Sequence, residues 1–86
     1  MQDLIDGLPE EWLGKTWETV DGPVEVGVLQ RVLSSVREGH STVDTIGAAA
    51  DVVGPTRVTK SLGILRDAHL IERTELGWYP LDPPTA

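Results

Sequence analysis

Eighty-six residues, 40% of them hydrophobic, suffice for one small core and no second domain. The absence of cysteine excludes a disulfide framework and a thiolate metal site, and no long apolar run or charged-then-apolar leader marks a membrane span or signal peptide, so a soluble, cytoplasmic protein is expected. A formal net charge of -7 argues against simple adhesion to a polyanion, because phosphate binding rests on Lys and Arg.

Residues 1–23 read as an acidic extension. Residues 1–25 hold seven acids against Lys15 alone, a local balance of -6. In "LPEEWLGKTW", Pro9 suits a helix's opening position and Glu10 and Glu11 its first turn. Trp12, Leu13 and Trp17 are spaced to share one face of a short helix, which Gly14 weakens. "VDGP" then punctuates the chain, and a folded domain is expected over residues 24–81.

From Val24 the pattern is helical, with Val28, Leu29, Val32, Leu33 and Val36 at three-and-four spacing and Gly39 as a stop. "STVDTIGAAADVVG" opens a second helix at Ser41, with Asp44 three positions on in a capping-box-like start. Its apolar stripe is Val43, Ile46, Ala50 and Val53. Gly54 and Pro55 close that helix and open a third, expected over 55–68. There Val58, Leu62 and Leu65 face the core and turn Thr56, Lys60, Gly63 and Asp67 outward, flanked by Arg57 and Thr59. "LIERTELGWYPL" reads as a short hairpin around Glu75, Leu76 and Gly77, and residues 82–86 as a frayed tail.

Three helices followed by a small hairpin is the order of a winged helix-turn-helix, an α+β fold that is mostly α. Residues 41–81, with the segment "TIGAAADVVGPTRVTKSLGILRDAHLIERTELGWYPL" as their greater part, resemble the core of MarR-, ArsR- and IclR-type transcriptional regulators by hydrophobic and turn pattern. The resemblance implies that the helix beginning at Pro55 enters the major groove and that residues 72–78 form the wing. "LRDAHLIER" is its most specific piece, with His69 standing where the family usually has a glycine in a left-handed turn. Glu75 stands at the wing tip, where DNA-binding wings commonly offer Arg or Lys.

The basic residues cluster to match. Residues 55–73 carry Arg57, Lys60, Arg66 and Arg73 against Asp67 and Glu72, a local balance of +2. Arg57 offers a guanidinium fork suited to guanine, and Lys60 a point charge one turn away. Thr56 and Thr59 add hydroxyls, with capping and solvation as their alternative use. Gly63, mid-helix on the outer face, has two readings, close approach of a partner and a small residue tolerated by drift. Arg73 is placed to reach a phosphate, and Arg66 to pair with an acid of its own helix or of the extension. The expected DNA-binding set is therefore Thr56, Arg57, Thr59, Lys60, Gly63 and Arg73.

Trp12, Leu13 and Trp17 have two readings, completion of the core and contact with a partner or a second copy. His40 and His69 lack a carboxylate at metal-ligand spacing, so no metal site is expected. No phosphate loop or nucleophile motif is present, so neither an enzyme nor a cofactor is expected. The sequence leads to a dimeric regulator on double-stranded DNA. The alternative is a winged-helix module that binds protein through its acidic surface and tryptophans.

Overall fold

A computed structural model describes residues 8–81. The elements run as a 3-10 turn (Glu10–Trp12), β1 (Thr16–Thr19), β2 (Gly22–Glu25), α1 (Val26–Arg37), α2 (Val43–Ala50), α3 (Pro55–Asp67), β3 (Ile71–Thr74) and β4 (Gly77–Pro80). Three helices and two small antiparallel hairpins make a small α+β fold, compatible with a winged-helix-like arrangement. No helix among the described residues is long and apolar enough to cross a membrane. The acids of residues 1–7 and the tail at 82–86 lie outside the described residues.

The expected N-terminal helix is not formed. A single 3-10 turn carries Trp12, and the chain then becomes the β1–β2 hairpin, with Trp17 opposite Val24 in register. The local reason is "TVDG": Asp-Gly between strand-forming residues favours a tight hairpin turn, and Gly22 adopts φ +130°. Thr19 Oγ1 locks that turn, donating to the Gly22 carbonyl at 2.6 Å and accepting from the Asp21 N–H at 3.2 Å. Val24 is fully buried but belongs to β2, so the helix expected from that residue begins at Val26. Leu8, Trp12 and Val24 join the same apolar cluster as the three helices. The first hairpin thus packs with the helical core and does not stand apart as an extension.

Within the helical core the sequence pattern holds. Leu29, Val32, Leu33 and Val36 of α1 and Val58, Leu62 and Leu65 of α3 are buried together around Ile46. The two buried hydroxyls are satisfied locally: Ser35 Oγ donates to the Arg31 carbonyl and Ser61 Oγ to the Arg57 carbonyl. The capping box of α2 starts at Thr42 rather than Ser41, with Thr45 as its reciprocal partner. At the other end, Asp51 takes a left-handed conformation, φ +58°. That turn rotates the apolar stripe by one residue, so Val52 is buried and Val53, expected inward, is 78% exposed.

The last hairpin stands where the wing is expected. Thr74 pairs with Gly77 across a loop of Glu75 and Leu76, and Arg73 lies opposite Trp78. Ile71 anchors the hairpin in the core with Trp78 packed alongside, and the Trp78 N–H donates to the Ser41 carbonyl at 2.9 Å. Only glycine fits at 77: φ is +123°, and a Cβ there would sit 2.5 Å from the Ser41 oxygen. His69 leaves α3 in the left-handed region, φ +63°, the geometry expected for it from the sequence.

Candidate nucleic-acid interface

The outward side of α3 is the polar surface of interest. Its 13 residues start with Pro55 at the first turn, where the missing N–H costs nothing and the fixed φ favours the helix. Burial of Val58, Ser61, Leu62 and Leu65 fixes the rotation of the helix. Thr56, Thr59, Lys60, Arg66 and Asp67 are consequently exposed, with Gly63 half-exposed among them.

Arg57, the residue expected to read a base, is placed differently. Its side chain leaves α3 on the flank that faces the first hairpin and is half-buried there. Nε donates to the Pro23 carbonyl at 3.0 Å, and Nη1 donates to the Val53 carbonyl at 3.2 Å. Two of the guanidinium's donors are therefore committed to holding the hairpin and the α2–α3 turn against α3.

Asp21 completes this clasp from the hairpin side. Its Oδ2 accepts from the Thr56 N–H at 3.0 Å, so a residue 35 positions away supplies the carboxylate that caps the first turn of α3. Gly54, the residue at the N-cap position, offers no side-chain cap of its own. A Cβ at Gly54 would lie 2.7 Å from Asp21 Cβ, and φ there is +104°, so glycine is required for the hairpin tip to close on the helix. Sequence reasoning missed Asp21 altogether. The legible signal was the Asp-Gly turn itself, which places an acid at a hairpin tip but does not show what the tip touches.

The remaining residues divide in two. Arg73 is exposed on β3 with its guanidinium carbon 5.9 Å from the Trp78 ring centroid, a cation–π arrangement. Among the described residues Arg66, expected to pair with an acid, forms no ion pair; the one such contact there joins Glu38 and His40 at 3.9 Å. Arg31 is another structural cation, donating from Nε to the Ala50 carbonyl at the end of α2 at 2.9 Å.

The tryptophans pack edge to face, ring centroids 5.7 Å apart at 79°. Trp12 is buried and Trp17 half-buried, whereas Leu13 is 57% exposed and does not share their face. Trp12 and Trp17 also line a groove of about 560 Å³ against α3, with Lys15 on their side and Lys60, Ile64 and Asp67 on the other. The described residues contain no group of three or more His, Asp or Glu side chains placed to hold a metal ion. The chain matches no protein-family model, no curated protein and no solved structure.

Proposed function

We propose that this chain is a small winged-helix DNA-binding protein, a transcriptional regulator that lays the outer face of α3 against duplex DNA. The observation that carries the reading is that face itself: Thr56, Thr59, Lys60 and Arg66 are uncovered around Gly63, on a helix whose opposite side is core. Lys60 and Arg66 form no ion pair among the described residues, so both are available to phosphates. Arg73 on the wing adds a third cation. Arg57 leaves the contact set because two of its donors serve the hairpin and the α2–α3 turn, and Arg66 takes its place. Thr56 and Thr59 remain as hydroxyl contacts. The reading calls for no cofactor and no reaction.

The test is fluorescence anisotropy with a labelled duplex of mixed sequence at low salt. Lys60→Glu together with Arg66→Glu is expected to weaken binding at least about tenfold while leaving the melt unchanged, since both side chains are exposed. A doubly reversed protein that binds as well as the wild type would overturn the proposal.

A second reading, a protein-binding module, is favoured by the groove that joins Trp17 and Ile64 to Lys15 and Lys60. It predicts an unchanged anisotropy signal for the wild-type protein at low salt.

A further inference from the structure

Gly63 stands in the interior of α3, where glycine costs about 1 kcal/mol relative to alanine. The protein's own packing gives no reason for it, because nothing lies within 4 Å of where its Cβ would be. On the same outer face stand Lys60 and Asp67, both exposed, and Ile64, half-buried. Lys60, Ile64 and Asp67 form one wall of the tryptophan groove, and Lys15 and Glu11 belong to the other side. Both of the chain's lysines therefore line this groove, opposed by two acids, which makes it charge-balanced in a chain of net charge -7. None of these four charges forms an ion pair among the described residues.

We propose that this face docks a second copy of the chain, α3 packing antiparallel on α3 about a two-fold axis beside Gly63. The charge order along the helix is self-complementary. Lys60 and Asp67 stand about 10 Å apart along the axis and flank the midpoint between Gly63 and Ile64. In an antiparallel pair each Lys60 therefore meets the Asp67 of the other copy, as an isologous interface requires. The missing side chain at Gly63 lets the two backbones approach, and Ile64 with Trp17 supplies apolar area beside the crossing. An acidic or a basic partner of another kind would meet as many like charges here as opposite ones. A second copy meets only opposite charges at these two positions, and on an acidic chain this is a face that two copies can join without net repulsion.

Lys60 and Gly63 also belong to the proposed DNA face, so the paired form and the DNA-bound form exclude each other. That consequence rests on the DNA reading; the pairing itself does not.

Sedimentation equilibrium over a concentration series, without DNA, tests the pairing. Lys60→Asp and Asp67→Lys are each expected to weaken self-association at least about tenfold, and the double exchange to restore it to within about threefold of wild type. All three variants alter exposed side chains only, and circular dichroism melts check that they remain folded. A wild-type protein that stays monomeric throughout, single variants that associate like wild type, or a double exchange as weak as the singles would each overturn the proposal. Failure of the wild type to bind a duplex would count against the DNA reading alone, because association is read in its absence.

Discussion

The two hairpins close with the same turn chemistry and are used differently. In each, a threonine hydroxyl donates to the carbonyl of a glycine three residues on and accepts from the N–H two residues on: Thr19 with Gly22 and Asp21, Thr74 with Gly77 and Leu76. Both loop tips hold an exposed apolar side chain, Val20 at 90% and Leu76 at 82%. What differs is the acid beside it, which follows Val20 in the first loop and precedes Leu76 in the second. Asp21 turns onto α3 and caps it, whereas Glu75 of the wing is exposed and forms no ion pair among the described residues. A local motif therefore fixes the shape of a hairpin, and its neighbours decide whether the tip is a structural clasp or a free surface.

Glycine substitution should separate the two hairpins most sharply. Gly77→Ala combines a positive φ with a collision against the Ser41 backbone and is expected to cost about 3 kcal/mol or more in urea unfolding. Gly22→Ala carries the positive φ alone, its Cβ falling 3.6 Å from a movable Arg57 side-chain carbon, and should cost about 1 to 2 kcal/mol. Equal losses at the two sites would mean that docking of the second hairpin on Ser41 contributes nothing.

Arg57→Ala comes next, at about 2 kcal/mol, because it removes two hydrogen bonds from a charged donor to backbone carbonyls. Arg57→Lys should recover little of it, since an ammonium cannot reproduce the fork that spans Pro23 and Val53. An unchanged melt for Arg57→Ala would remove the clasp from the account and return Arg57 to the candidate DNA contacts.

Asp21→Ala should cost about 1 kcal/mol by uncapping α3, and Asp21→Asn only part of that, as the amide oxygen still accepts from Thr56. Removal of the acid in the second loop, Glu75→Ala, should leave stability within about 0.5 kcal/mol. The smallest effect has the opposite sign. His69→Gly, at the exit from α3 toward the wing, should raise stability by somewhat under about 1 kcal/mol, because φ +63° is unfavourable for a side chain. A loss there would mean that the imidazole makes a contact worth more than the strain.

The contrast between the hairpins also marks what the sequence could reveal. Helical periodicity located α1, α2 and α3 and placed Val58, Leu62 and Leu65 in the core, because three-and-four spacing is a local signal that burial reinforces. The last hairpin was legible from its turn residues. Val24 misled because a buried strand residue two positions before a helix fits the helical period as well as the strand. Trp12 and Trp17 fit a helix by spacing, yet they meet across a turn and a strand. Arg57 and Asp21 were beyond any local reading: their roles depend on partners 34 and 35 positions away, which the fold alone brings together. The candidate site was thus legible as a helix face, and its individual donors were not.

The salt dependence of duplex affinity tests the central claim most directly, the claim that the outer face of α3 and not Arg57 carries binding. With Lys60, Arg66 and Arg73 each meeting a phosphate, log affinity against log salt should fall with a slope of about -3 per bound copy, and Lys60→Ala should flatten it by about one unit on every duplex alike. Arg57→Ala, measured where it is fully folded, should leave the slope unchanged. A flat salt response in the wild type, or a slope that moves with Arg57 and not with Lys60, would contradict the account.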